Sequence, residues 1–378
     1  MPAGRTTGDR RTSAGSREIG RLGRLLRAMA RQRIDLFVCT HLSNIRYLTG
    51  FSGSDAALLV SGDSVTLFTD GRYREQARQE VAGADVVIHD RKWAVLAKRI
   101  RRAGRTAGGG RPPNVGFESR ALSVEGYRLL ARGHGDSWKA LPGLVESLRM
   151  RKDDGEIRAM EAAAVVASGA LLQVLERGIR GRRESEVAAG LACGMKMEGA
   201  EEESFRAIVA SGPRSAMPHA VPTGERIGMD DLVVIDLGAR RRGYCSDETV
   251  TILPRRPRRE LRRVHDAVRR AQEAGIRAVR PGVPCREVDA RVRESLDRSG
   301  YLQYFVHSTG HGVGLEIHER PSLSVRSRDR LVEGMVVTVE PGVYIPGLGG
   351  VRIEDMIRVT GSGGERLTYL PKSGPLAA

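Results

Sequence analysis

Five residues in the C-terminal half of this 378-residue sequence have the types and settings of metal ligands: Asp236, Asp247, His311, Glu340 and Glu354. Asp236 closes the apolar run 232–235, and Glu340 closes the apolar run 335–339. A carboxylate at the end of a buried strand is costly without a partner and tends to take up a proton. A cation removes that cost. Asp247 follows Asp236 across a short turn at Arg240–Gly243, so a hairpin brings the two acids together. Strand alternation puts Cys245, Asp247, Thr249 and Thr251 on one face and turns Glu248 away. Gly310, Gly312 and Gly314 strip side-chain bulk from around His311, and Glu354 lies in a further strand at 351–359. Four strand carboxylates and one imidazole form a hard, oxygen-rich donor set. It suits two divalent ions, manganese first, with cobalt, zinc or iron as alternatives. Such a pair can hold a bridging hydroxide and polarise a carbonyl, which is the chemistry of hydrolysis. Any one of these residues alone reads as a strand cap, a salt bridge or a satisfied core histidine. Five together, each on an apolar strand or a glycine-rich segment, do not.

The elements that must position these residues follow from periodicity. Downstream of a boundary at 141–155, helices are expected at 156–175, 184–197, 260–279 and 286–299. Strands are expected around 206–210, 232–238, 244–253, 335–340 and 351–359. Two helices followed by strands occur twice, a hint of internal duplication. Upstream, residues 34–140 alternate short strands and helices without a phosphate loop or a dinucleotide fingerprint, an α/β domain. Ala56–Val60 and Ser64–Thr69 form a hairpin with Gly62 and Asp63 in its turn. Residues 1–16 read as a disordered tail, and 17–32 as a basic amphipathic helix.

Composition narrows the partners. Hydrophobic residues make up 40%, and no apolar run approaches the roughly 18 residues that span a bilayer. With no signal-peptide pattern, the expectation is a cytoplasmic protein without a membrane partner. Cys39, Cys193, Cys245 and Cys285 are far apart and read as reduced thiols. The net charge of +16 raises nucleic acid as a partner. However, only six of the 62 basic residues are lysines, which reads as arginine codon bias, and residues 1–33 alone contribute nine arginines. No basic patch is interleaved with aromatics, so no nucleic-acid partner is expected.

In the order and spacing of Asp236, Asp247, His311, Glu340 and Glu354, the chain resembles the pita-bread metallopeptidases: methionine aminopeptidase, aminopeptidase P and prolidase. The resemblance implies an α+β fold with a pseudo-twofold sheet over 149–378. It implies that Asp236 chelates one ion, that Asp247 and Glu354 bridge both, and that His311 and Glu340 complete the other, Glu340 also shuttling the proton. His219, His307, His318 and Arg352 match the proline-specific branch. There they imply stabilisation of the tetrahedral intermediate by the histidines and bracing of the carboxylates by Arg352. Asn44–Phe51 and Thr69–Tyr73 resemble a creatinase-type N-terminal domain, assigned to 17–148. Glu248 and Val250 depart from many relatives, which carry an apolar residue and an arginine there. The expected activity is a metal-dependent Xaa-Pro aminopeptidase acting on peptides with proline second, as a homodimer or homotetramer. The alternatives are an Xaa-Pro dipeptidase and, outside enzymes, a metal-free interaction module on the same scaffold.

Overall fold

The helix Asp154–Glu176 sets the frame of the C-terminal unit. Asp153 caps it through the Gly155 and Glu156 amides, and Glu156 returns a bond to the Asp153 amide, a reciprocal capping box. Its buried alanines allow close packing on the helix Glu184–Met197 and on a sheet, around Leu171, Leu191, Val209, Ile235 and Val250. It is long and apolar enough to cross a membrane by composition, yet 61% of its apolar window is buried within the protein. The computed structural model describes the backbone of residues 8–106, 112–132 and 137–372, and side chains from residue 20 onward over nearly the same range. Its contacts divide the chain into two units, 1–149 and 150–378.

In the first unit, six strands form one mixed sheet, in the order Asp85–Ile88, Val65–Thr69, Ala57–Ser61, Leu36–Cys39, Val115–Phe117 and Trp138–Ala140. The expected hairpin is there, with Ala57 opposite Phe68 and Val60 opposite Val65. The segment around Asn44 is structural. Buried Asn44 donates to Glu118 at 2.6 Å and accepts from Arg149 at 2.7 Å, and Gly50 ends the helix Leu42–Thr49 with φ +82°. The first helix spans Gly8–Arg31, beginning within the segment read as tail; residues 1–7 of that segment lie outside the described residues.

In the second unit, the order helix, helix, antiparallel strands occurs twice. Asp154–Glu176 and Glu184–Met197 precede the sheet Glu248–Ile252, Val233–Leu237, Ile208–Ser211. Arg259–Ala278 and Cys285–Arg298 precede a five-stranded sheet that contains Gly310–Gly312, Val336–Val339 and Asp355–Thr360. Two expected strands prove to be broken. The run 244–253 divides into Tyr244–Cys245 and Glu248–Ile252, and the run 351–359 into Gly349–Arg352 and Asp355–Thr360. In each case the two pieces belong to different sheets. Asp247 and Glu354 sit at these breaks, where the backbone leaves one ladder for another.

The first break depends on Gly238, whose missing side chain lets the Ser246 carbonyl lie against it. Because backbone cannot yield as a side chain tip can, Gly238→Ala should lower stability by about 1–3 kcal/mol. Urea unfolding checks this, and an unchanged midpoint would show that the two strands tolerate separation.

Candidate metal centre

Each proposed ligand reaches the centre from a different piece of backbone. Asp236 lies on the central strand Val233–Leu237, opposite Thr249 on one side and Ile208 on the other. His311 projects from the short strand Gly310–Gly312, where Gly310 packs on the Thr338 backbone and leaves no room for a Cβ. Glu340 follows the strand Val336–Val339 directly. Donor atoms of Asp247, His311 and Glu354 all lie within 4.8 Å of one another. His311 Nε2 is 3.6 Å from Asp247 Oδ2 and 3.4 Å from Glu340 Oε1. Asp236 Oδ2 accepts from Arg352 Nη2 at 2.6 Å, and its buried Oδ1 has no hydrogen-bond partner.

The electrostatics of these residues fit a cation. Burial, then the charges of Glu354, Asp236 and Glu340, push Asp247 well above the usual carboxylate range. Burial and then Glu340 and Asp236 do the same to Glu354. Burial pushes Glu340 up to about 8, against the pull of Arg352. One guanidinium cannot neutralise four clustered acids, three of them buried, and the orphaned Asp236 oxygen is an acceptor with nothing to accept. The imidazole is prepared as well. Burial, then His318, holds His311 down to about 4, so it is neutral at physiological pH. Its Nδ1 lies 3.1 Å from the Gly312 carbonyl, which can only accept. The proton therefore sits on Nδ1, and the Nε2 lone pair faces the acids, as a metal ligand requires.

One cavity of about 540 Å³ is lined by Asp236, Asp247, His311, Glu340 and Glu354 together with His219, His307, His318 and Arg352. Arg352 makes four hydrogen bonds through its guanidinium. Besides Asp236 it donates to Thr249 Oγ1 at 3.2 Å, to the Tyr344 hydroxyl at 2.8 Å and to the Pro218 carbonyl at 3.0 Å. It thus ties the loop carrying His219 to the centre. The three histidines do not stand alike. His307 is held down to about 4 by burial, donates from Nδ1 to the Ser308 carbonyl and accepts at Nε2 from Tyr344 at 3.0 Å. Both its nitrogens are thus engaged within the protein. His219 and His318 are exposed to the cavity without hydrogen-bond partners among the described residues, and His318 packs edge-on against His311 at 4.4 Å.

Sequence reasoning put Thr249 on the ligand face without a task and passed over Tyr344 and Thr338. Thr249 Oγ1 donates to Glu354 Oε2 at 2.6 Å. Thr338 Oγ1 accepts from the His311 amide at 3.0 Å and donates to Glu340 Oε1 at 3.3 Å. Thr338 sits two residues before Glu340, so alternation alone could have exposed it. Glu248 does turn away from the centre, into a buried contact with Ser168 and Lys372.

Fold and site together define a metal-dependent hydrolase of the pita-bread class, preceded by a creatinase-type domain. Residues 158–361 match the model of metallopeptidase family M24, and residues 21–151 match the creatinase/prolidase N-terminal domain. The chain belongs to family M24. Among its relatives, an Xaa-Pro dipeptidase of Pyrococcus furiosus is 38% identical over 352 residues, 92% of this chain and 97% of that one. An Xaa-Pro dipeptidase structure from Bacillus anthracis superimposes with a TM-score of 0.89 at 39% identity, covering 95% of this chain and 99% of that one. An X-Pro aminopeptidase structure from Thermotoga maritima gives 0.84 at 34%, covering 92% and 99%.

Metal ligands must be deprotonated, so loading this site must expel protons. Burial raises Glu340 to about 8, and Asp247 and Glu354 are raised as well, so protons remain on the site near neutral pH and fewer remain at alkaline pH. Calorimetric titration with manganese in buffers of different ionisation enthalpy should therefore show more protons released per chain at pH 6.5 than at pH 9. Equal release at the two values would mean that the acids are already ionised without metal.

Proposed function

We propose that this protein is an Xaa-Pro dipeptidase that uses two divalent ions, manganese foremost, to hydrolyse the bond between an N-terminal residue and a C-terminal proline. What carries the dipeptidase reading over the aminopeptidase expected from the sequence is the likeness, over nearly the full length of both chains, to Xaa-Pro dipeptidases at 38% and 39% identity. A dipeptidase must also recognise a free carboxylate close to the scissile bond. Arg206 lines the same cavity, is exposed there and has no ion-pair partner among the described residues. It offers the cation that such a carboxylate needs.

In this reading Asp236, Asp247, His311, Glu340 and Glu354 would hold the ions. When bound, the ions supply a Lewis acid for the scissile carbonyl and an activated water at neutral pH. Glu340 takes the proton that the attacking water gives up and delivers it to the proline nitrogen as the C–N bond breaks, leaving a free amino acid and proline. His318, unpartnered and beside His311, donates to the carbonyl oxygen as negative charge builds there. His307 and Tyr344 hold Arg352, and Arg352 holds both Asp236 and the loop of His219. The apolar wall from Phe205, Ile317 and Val221 excludes water and receives the proline ring.

The X-Pro aminopeptidase similarity at 34% identity supports the second reading, removal of one residue from longer peptides. Steady-state assays on Xaa-Pro and Xaa-Pro-Xaa with manganese separate the two. The dipeptide should win by at least about tenfold in kcat/KM, and Arg206→Ala should raise KM for the dipeptide while sparing kcat. Comparable rates on both peptides would favour the aminopeptidase.

A further inference from the structure

Each acid proposed to bridge the ions is followed directly by a second buried acid that points the other way. Glu248 comes after Asp247 and Asp355 after Glu354, and each is 1% exposed. Glu248 Oε2 accepts from Ser168 at 2.8 Å, and its Oε1 accepts from the Leu370 amide at 2.9 Å. Asp355 Oδ2 accepts from Gln272 at 2.8 Å and Arg366 at 3.1 Å, while its Oδ1 accepts from Thr368 at 2.6 Å. One ammonium joins the two acids. Lys372 Nζ lies 2.7 Å from Glu248 Oε1 and 3.4 Å from Asp355 Oδ1, and reaches the Thr249 carbonyl at 3.4 Å. Its side chain is 9% exposed.

The strands so joined, Glu248–Ile252 and Asp355–Thr360, belong to different sheets, so no ladder fixes their separation. On the metal side the seam is held by Thr249, through its hydroxyl on Glu354 Oε2 and its carbonyl, which accepts from the Glu354 amide at 3.1 Å. Two shared carboxylates must hold their separation to within about 0.5 Å to serve two ions at once. We propose that Lys372 is a positioning residue for the dinuclear site. It clasps Glu248 and Asp355 from the far side and thereby sets the distance between Asp247 and Glu354. The segment 368–372 then helps to position the site. Its Thr368, Leu370 and Lys372 all bond to the acids next to the proposed ligands. The proposal rests on the metal-site reading above.

The test compares the full-length wild type with Lys372→Met and with the double variant Glu248→Met/Lys372→Met, which removes the buried pair together and leaves no lone charge. Manganese affinity is measured by calorimetry, fold by circular dichroism and the unfolding midpoint of the metal-free protein, and kinetics on Xaa-Pro. The double variant should fold like the wild type, bind manganese about 10–100-fold more weakly, and lose kcat with KM little changed. Lys372→Arg, which keeps the cation, should recover part of the affinity. A folded double variant with wild-type affinity overturns the clasp. So does one that fails to fold, because Lys372 then serves stability alone. A wild type that binds no manganese overturns the metal-site reading instead, an outcome distinct from either.

Discussion

Four carboxylates from four separate stretches of backbone converge on one site, and their mutual repulsion is the constraint that the rest of the catalytic unit accommodates. Asp247 and Glu354 are 5% and 2% exposed, so water cannot screen them. Such a cluster persists as anions only where cations of higher charge enter it. Among the described residues the guanidinium bonded to these acids is that of Arg352, and its grip falls on Asp236 rather than on the two acids proposed to bridge. That leaves an opening for divalent ions where the repulsion is greatest. A site with its charge balanced by side chains would be more stable empty and less able to bind metal.

The scaffold holds this unfavourable arrangement by making it the meeting place of sheets. The Val233–Leu237 strand brings Asp236 in at the centre of one sheet, and Val336–Val339 brings in Glu340 in another. Asp247 and Glu354 arrive at breaks where backbone crosses between ladders. Cores around Val209, Ile235 and Val250, and around Val337, Val339 and Ile357, anchor the strands on either side. Thr249 fastens the seam between them at Glu354. Rigid hydrophobic packing thus offsets a polar cluster that could not assemble by itself.

Much of this is visible in the sequence, for a physical reason. An acid closing an apolar run is expensive, so Asp236 and Glu340 stand out against their strands. The helices Glu184–Met197 and Cys285–Arg298 show their 3.6-residue period because one face is buried. The strand breaks do not show. Residues 244–253 and 351–359 read as continuous β runs because alternation persists across them, and only tertiary pairing tells which sheet each half joins. Tyr344 and Lys372 are equally silent. Tyr344 meets Arg352 across a strand pair and His307 from 37 residues away, and Lys372 meets Glu248 from 124 residues away, contacts that only tertiary pairing sets. Whether a dipeptide or a longer peptide is cut is not written in the ligand motif, because the ligands serve the bond and not the ends of the substrate.

The most direct measurement of the central claim is an anomalous difference map from crystals of the manganese-loaded protein. Two peaks a few ångströms apart are expected, each touching one oxygen of Asp247 and one of Glu354, with Asp236 beside one and His311 and Glu340 beside the other. A single peak, or a pair that leaves Asp247 and Glu354 uncoordinated, would contradict the claim that these buried acids are held together by shared metal ions.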